Sequence, residues 1–214
     1  MAFLFPRLYP ILDSSTIPVE GREAYLHRLG VSLADAGVTL LEYRNKQGTD
    51  AELLADGAIL RAALPANQVR LVLDDRVHLV DSLGFDGVHV DAGDMSPAEA
   101  RRLLGPHRIV GTFAGAESLL PGILNAPADY FAIGPVFSTT TKQTANPPIG
   151  VEGVRRLRQQ AGADVVLTAA AGITLETAPA VLQAGASTVA VSAAIFRTVD
   201  PARECRLWLA RLKT

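Results

Sequence analysis

The chain has 214 residues, 49% of them hydrophobic and 20% charged, with a formal net charge of −2. That is enough apolar material for one well-buried domain spanning residues 1–214, without the basic excess that nucleic acid or an anionic membrane surface demands. A single cysteine, Cys205, excludes a disulfide framework and a cysteine-based zinc site, and no apolar run is long enough to span a membrane, so a soluble cytoplasmic protein is expected.

Leu8 to Leu12 reads as a short strand ending at Asp13. Glu20 to Ala36 carries Ala24, Leu29, Leu33 and Ala36 at helical spacing and stops at Gly37. Val38 to Tyr43 is a second strand, running into Arg44, Asn45 and Lys46. Asp50 is the expected N-cap of a helix to Leu64, ended before Pro65. Val69 to Leu73 is a strand stopping at Asp74, Asp75 and Arg76, and Val77 to Leu83 a short helix closed by Gly84. Gly87 to Val90 is the fourth strand, followed by Asp91 and Asp94. Ser96 as N-cap and Pro97 at the first position open a helix that ends near Gly105.

Arg108 to Thr112 is the fifth strand, and Glu117 to Asn125 is read as a helix despite Pro121. Asp129 to Ile133 is the sixth strand, and it opens into Gly134 to Lys142, GPVFSTTTK. Val151 to Ala161 is helical, Asp164 to Thr168 is the seventh strand, and Thr174 caps a helix to Ala184. Thr188 to Val191 is the eighth strand, and an amphipathic helix runs from Pro201. Its Trp208 and Leu212 suit barrel packing or a homo-oligomer contact.

The strands lack period-two polarity, as expected of parallel strands buried on both faces. Strict βα alternation predicts a parallel α/β fold, either a closed (β/α)8 TIM barrel or an open doubly wound sheet. The count of eight strands favours the barrel, and no Gly-x-Gly-x-x-Gly follows the first strand.

In such a barrel the strand C-terminal ends form one rim, and the charged and polar residues lie just past those ends. The hydroxyls of Thr139 and Thr141 with the ammonium of Lys142 can cradle a phosphate, or form only a solvated loop. Asp75 and Asp94 suit a hard ion such as Mg²⁺, or cap helices. Arg44 and Lys46 share one face and can grip a diphosphate, or lie in a solvated loop. Small residues at Ala171-Gly172-Ile173 and Ser192-Ala193-Ala194 let backbone amides approach an anion, or serve tight packing. His89 reads as a packed strand residue, and His27, His78 and His107 as surface. No Ser/His/Asp arrangement or Gly-x-Ser-x-Gly elbow appears, which disfavours nucleophilic hydrolysis.

LEYRNK (Leu41 to Lys46), DDR (Asp74 to Arg76), GVHV followed by Asp94, GPVFSTTTK, AGI (Ala171 to Ile173) and VSAAI together resemble the thiamine phosphate synthase and thiazole tautomerase superfamily over nearly the whole chain. The resemblance implies a (β/α)8 barrel acting on small phosphorylated substrates. In the synthase branch, a hydroxymethylpyrimidine diphosphate loses diphosphate and the nitrogen of a thiazole phosphate attacks the freed carbon. It further implies Mg²⁺ on Asp75 and Asp94, and diphosphate held by Arg44, Lys46 and Lys142. Thiazole phosphate would be held by Thr139, Thr141, Gly172, Ser192 and Ala193.

Four positions depart from that pattern. Glu42 stands where Gln is usual and Asp74 where Asn is usual, so two substrate-facing amides become carboxylates that only accept hydrogen bonds when ionised. Phe113 replaces a diphosphate-contacting Ser, and Gly115 stands in place of the histidine that marks the tautomerase branch. The departures leave open a non-catalytic phosphate-ligand-binding barrel, and a tautomerase-like isomerase as a further reading.

Overall fold

Short strands that are apolar on both faces are stable only when covered on both sides, and a closed parallel barrel wrapped in helices does that. The computed structural model describes residues 3–91, 93–139 and 146–213. Its strands are β1 (Leu8–Asp13), β2 (Leu40–Arg44), β3 (Arg70–Asp74), β4 (Gly87–Val90), β5 (Ile109–Gly115), β6 (Tyr130–Ile133), β7 (Leu167–Ala170) and β8 (Thr188–Val191). Each pairs in parallel with the next, and β8 returns to β1, so the sheet closes as the (β/α)8 barrel and not as an open sheet. The described helices are α1 (Arg22–Asp35), α2 (Asp50–Ala63), α3 (Pro97–Leu104), α4 (Gly150–Ala161), α5 (Ala178–Gln183), α6 (Ala193–Phe196) and α7 (Pro201–Leu212).

Two apolar layers hold the fold. Between strands and helices, Leu12, Leu41, Leu73 and Leu167 meet Leu26, Leu33, Leu60 and Trp208. Inside the barrel, Tyr9, Leu40, Val72, Ile109 and Tyr130 form a separate cluster with Phe3 and Phe5 packed against it. The Phe5 ring sits 5.3 Å from that of Tyr130, so the N-terminal segment stoppers the strand-start end and the polar interior is left to the other end. Gly111 makes room for the Tyr130 ring, because a Cβ there would lie 1.9 Å from a ring carbon.

The structure corrects several boundaries. Thr49, not Asp50, caps α2: its hydroxyl accepts from Glu52 N (3.3 Å) and the Glu52 carboxylate accepts from Thr49 N (2.7 Å). Val77–Leu79 is a single 3₁₀ turn. No α-helix fills residues 117–125, because Gly115 bridges to Leu119, Pro121 lacks a donor and Gly122 sits at φ +70°. β5 runs on to Gly115, which moves Phe113 from a loop into the sheet. β7 begins at Leu167, and α5 only at Ala178, because Thr174 and Thr177 turn the chain by bonding to each other. Trp208 and Leu212 do not form a surface for a subunit contact. Both are buried against the barrel, and the Trp208 indole donates to Glu204 at 3.1 Å.

Candidate active site

Alternation along each strand aims every second residue into the barrel. On β1 these are Tyr9, Ile11 and Asp13, on β2 Glu42 and Arg44, on β3 Val72 and Asp74, and on β4 His89 with Asp91 just beyond it. At the strand C-terminal ends most of them line a cavity of about 370 Å³, with Phe113 and Tyr130 across from the acids. Glu42 and Asp74 thus face the cavity, and both are buried.

The charged rim is one network. Arg44 is ion-paired to Asp13, and its Nε lies 3.6 Å from Asp74 Oδ2. The Lys46 ammonium sits among three carboxylates: Asp74 at 3.2 Å, Asp75 at 3.5 Å and Asp94 at 3.4 Å. Arg44 and Lys46 are thus ion-paired and only partly exposed. Ser96, not Asp94, caps α3, and the Asp94 carboxylate instead accepts from Asp91 N at 2.8 Å. Burial pulls the Lys46 ammonium toward neutrality, but the three carboxylates outweigh it and its pKa is raised. For Asp13, desolvation is outweighed by bonds from Ser15 and Arg44, and the carboxyl is held below its usual value.

Asp75 occupies the left-handed region at φ +80°, where a residue with a Cβ is strained by roughly 1–3 kcal/mol. Its amide is fixed by the His89 carbonyl at 2.9 Å. Asp75→Gly is expected to melt higher, gaining about 1 kcal/mol from the relieved strain, while losing activity with its carboxylate. Thermal unfolding and turnover on the same sample check this, and a lower melting temperature would mean the ion pairs to Lys46 and Arg76 outweigh the strain.

Deeper in the barrel runs a hydrogen-bonded chain. The Tyr9 and Tyr130 hydroxyls are 3.0 Å apart, Tyr130 reaches His89 Nδ1 at 2.9 Å, and His89 Nε2 lies 3.4 Å from Asp91. His89 is therefore a cavity-lining residue as well as a packed one. Its burial lowers its pKa, but Asp91, Glu42 and Asp74 raise it further, and the net shift is upward. Glu42 is pushed up from 4.5 to about 7, first by desolvation, with Asp74 and Asp91 adding repulsion against the pull of His89 and Tyr9.

The consequence for stability has a definite sign. With the folded pKa above the unfolded one, the contribution of Glu42 is fully present below pH 4.5 and is lost as pH rises through 7. Glu42→Gln should match the wild type near pH 4.5 and exceed it at pH 8.5, by on the order of 3 kcal/mol at the ceiling. Urea unfolding at both pH values reads the difference.

A second chamber of about 450 Å³ adjoins the first, and Arg44, Thr139, Ala171 and Ala190 line both. Its own walls include Gly172, Ser192 and Ala193, the small residues that follow β7 and β8. Ala171 at φ +75° and Gly172 at φ +68° turn the chain in two consecutive left-handed steps. A Cβ on Gly172 would lie 2.5 Å from Ser138 O and 2.7 Å from the Phe137 backbone, so this glycine lets the loop after β6 press onto the end of β7. Gly172→Ala should therefore displace that loop, lowering the melting temperature by several degrees and kcat/KM at least tenfold, a clash plus strain worth about 2 kcal/mol or more. Unchanged kinetics would show that the loop plays no part in the site.

That loop is pinned at its base, with Val136 N on Ala170 O (2.9 Å) and Ile149 N on Pro135 O (2.9 Å). Thr141 and Lys142 lie outside the described residues. Reading the sequence for charge missed Tyr9, Tyr130 and Thr168 as lining residues. The signal was available in strand parity, since Tyr9 shares a face with Asp13 and Thr168 with Ala170.

Together these features define the class, a (β/α)8 barrel with a charged, two-chambered cavity at the strand C-terminal face. A model of the thiamine monophosphate synthase family matches residues 8–195. The chain is 41% identical over 196 residues to the thiamine-phosphate synthase of Koribacter versatilis (strain Ellin345), covering 92% of this chain and 90% of that one. It is 38% identical over 197 residues to the thiamine-phosphate synthase of Agrobacterium fabrum (strain C58), covering 91% and 88%. Among solved structures, a thiamine phosphate pyrophosphorylase from Pyrococcus furiosus superposes with a TM-score of 0.76 at 24% identity, covering 96% of this chain and 94% of that one, which speaks to the fold alone. The chain belongs to the thiamine monophosphate synthase family.

Proposed function

We propose that the protein is a thiamine-phosphate synthase, joining hydroxymethylpyrimidine diphosphate to thiazole phosphate with release of diphosphate. The observation that carries this is the pair of adjoining chambers sharing Arg44 and Thr139, which gives room for two ring systems on either side of one cationic group. In this reading the acid- and aromatic-lined chamber takes the pyrimidine, and the chamber of small residues takes the thiazole with its phosphate. The C–O bond to diphosphate breaks with both electrons leaving on oxygen, and the thiazole nitrogen lone pair forms the new C–N bond. Arg44 and Lys46, with Lys142, hold the departing anion, and Thr139, Thr141, Gly172, Ser192 and Ala193 position the phosphate of the acceptor.

Asp75 and Asp94 fit Mg²⁺: both are partly exposed oxygen donors, and they converge on a point where a cation, the Lys46 ammonium, already sits. The ion would neutralise charge on the diphosphate. Among the described residues no group of three or more His, Cys, Asp or Glu is arranged to hold a metal, so oxygens of the substrate would complete the coordination. Among the described residues no helix is long and apolar enough to cross a membrane.

The isomerase reading loses ground at Gly115, where a Cβ would meet Ser118 O at 2.1 Å, leaving no room for a histidine. The binding-only reading is kept alive by Glu42 and Asp74, which do face the cavity. Diphosphate release from the two substrates, with and without Mg²⁺ and beside Lys142→Ala, decides between them. Release lost in the variant supports the synthase, whereas calorimetric binding with no release from well-folded protein supports the binder.

A further inference from the structure

We propose that Glu42 is the counter-charge for a positively charged heteroaromatic ring in the inner chamber. This rests on the reading that the chamber receives the pyrimidine, and it assigns that ring a charge state and a catalytic partner.

The argument is a pairing of charges. Asp13 is paired with Arg44, Asp74 lies 3.2 Å from Lys46, and Asp91 lies 3.4 Å from His89. Glu42, only 3% exposed, makes no ion pair among the described residues, and its hydrogen-bonding neighbour is the Tyr9 hydroxyl. The charged and titratable groups facing it are Tyr9 from β1, Arg44 from its own strand, Asp74 from β3, His89 and Asp91 around β4, and Tyr130 from β6. Arg44, the one permanent cation in that set, is paired with Asp13, and His89 lies against Asp91.

A desolvated carboxylate with no cation in direct contact, only the longer-range attraction of His89 and Arg44, either keeps a proton or gains from a charged ligand. The far wall, with Phe113, Ala132 and Ile133, offers little to screen it. As the C–O electrons move to diphosphate, positive charge develops on the ring in this chamber. An ionised Glu42 then gains an attraction that is weak in the ground state and strong in the transition state. When the thiazole nitrogen donates its lone pair, the charge passes to the new thiazolium and no proton is needed. The raised pKa of Glu42 agrees, since the empty chamber favours the protonated acid and a cation would expel that proton.

Calorimetry with benzamidinium and benzamide, rings of equal size that differ in charge, tests the pairing without turnover. The wild type should bind the cation at least about tenfold more tightly at pH 7 and release a proton to the buffer, as an opposite charge in a desolvated site requires. Glu42→Gln should bind both within about threefold and release none. In turnover, wild-type kcat/KM, which reports the free enzyme, should rise as pH passes through 7. The Gln variant should be flat and about tenfold or more slower at pH 8.5. A Gln variant that keeps the cation preference, or matches wild-type kcat/KM at pH 8.5, overturns the proposal while leaving the synthase reading intact. A wild type that releases no diphosphate from its substrates at any pH overturns the synthase reading, and the catalytic role of Glu42 with it. The variant loses a buried charge, so its fold should survive, which its melting curve verifies.

Discussion

Arg44→Ala should lower kcat/KM by about a thousandfold and stability by about 2–4 kcal/mol, the two effects having separate causes. The kinetic loss follows from position, since Arg44 lines both chambers. The stability loss follows from what the variant leaves behind. Asp13 loses its cation, and Asp74 Oδ2 is left with Lys46 as its ion-pair partner among the described residues. Burial pulls the Arg44 guanidinium toward neutrality, but Asp74, Asp13 and Glu42 outweigh that and hold it charged. Arg44→Lys separates the causes. It restores a charge but not a fork that can reach Asp13 and Asp74 together, so stability should recover by more than half while kcat/KM stays at least tenfold down. Steady-state kinetics and urea melts of both variants read this out. Full kinetic rescue by lysine would mean that charge alone matters at this position.

Comparing the expected and observed elements shows where sequence carries information. β4, β8, α3 and α7 fall almost where local signals put them, because each is bounded by a residue with one strong preference, such as Ser96 with Pro97 or Gly87. The segment from 117 to 125 fails because an apolar run can satisfy helical spacing while Pro121 and Gly122 decide the backbone. The rim was legible because charged residues directly after apolar strands have one place to go in a closed barrel. The interior was less so. Tyr9 and Tyr130 look like ordinary strand aromatics until register sets their hydroxyls 3.0 Å apart. Phe113 turns inward because β5 is longer than its hydrophobic run, with a register shift between Phe113 and Gly115. Nor could sequence show that Lys46 sits among three carboxylates, since those come from two other strand ends.

Asp56→Ala is expected to cost about 3–5 kcal/mol and to weaken substrate binding from outside the barrel. Asp56 lies on α2 behind β2, only 4% exposed, and receives Arg22 through two nitrogens at 2.9 and 2.6 Å together with the Tyr43 hydroxyl. Tyr43 points away from the cavity, but its hydroxyl also meets the Asn45 amide at 3.3 Å, and Asn45 Oδ1 accepts from Gly48 N at 2.9 Å. These bonds fix the turn from which Lys46 reaches its carboxylates. Removing the Asp56 side chain strands the Tyr43 hydroxyl and half of the Arg22 fork, and frees that turn to move. The expected signature is a KM for the diphosphate substrate raised about threefold to tenfold with kcat nearly kept, because Asp56 touches no reacting atom and acts only by positioning. Asp56→Asn keeps the shape and one acceptor, so it should lose less than half as much stability and move KM in the same direction. A folded Asn variant with a wild-type KM would show that the turn is held by Asn45 and Gly48 alone.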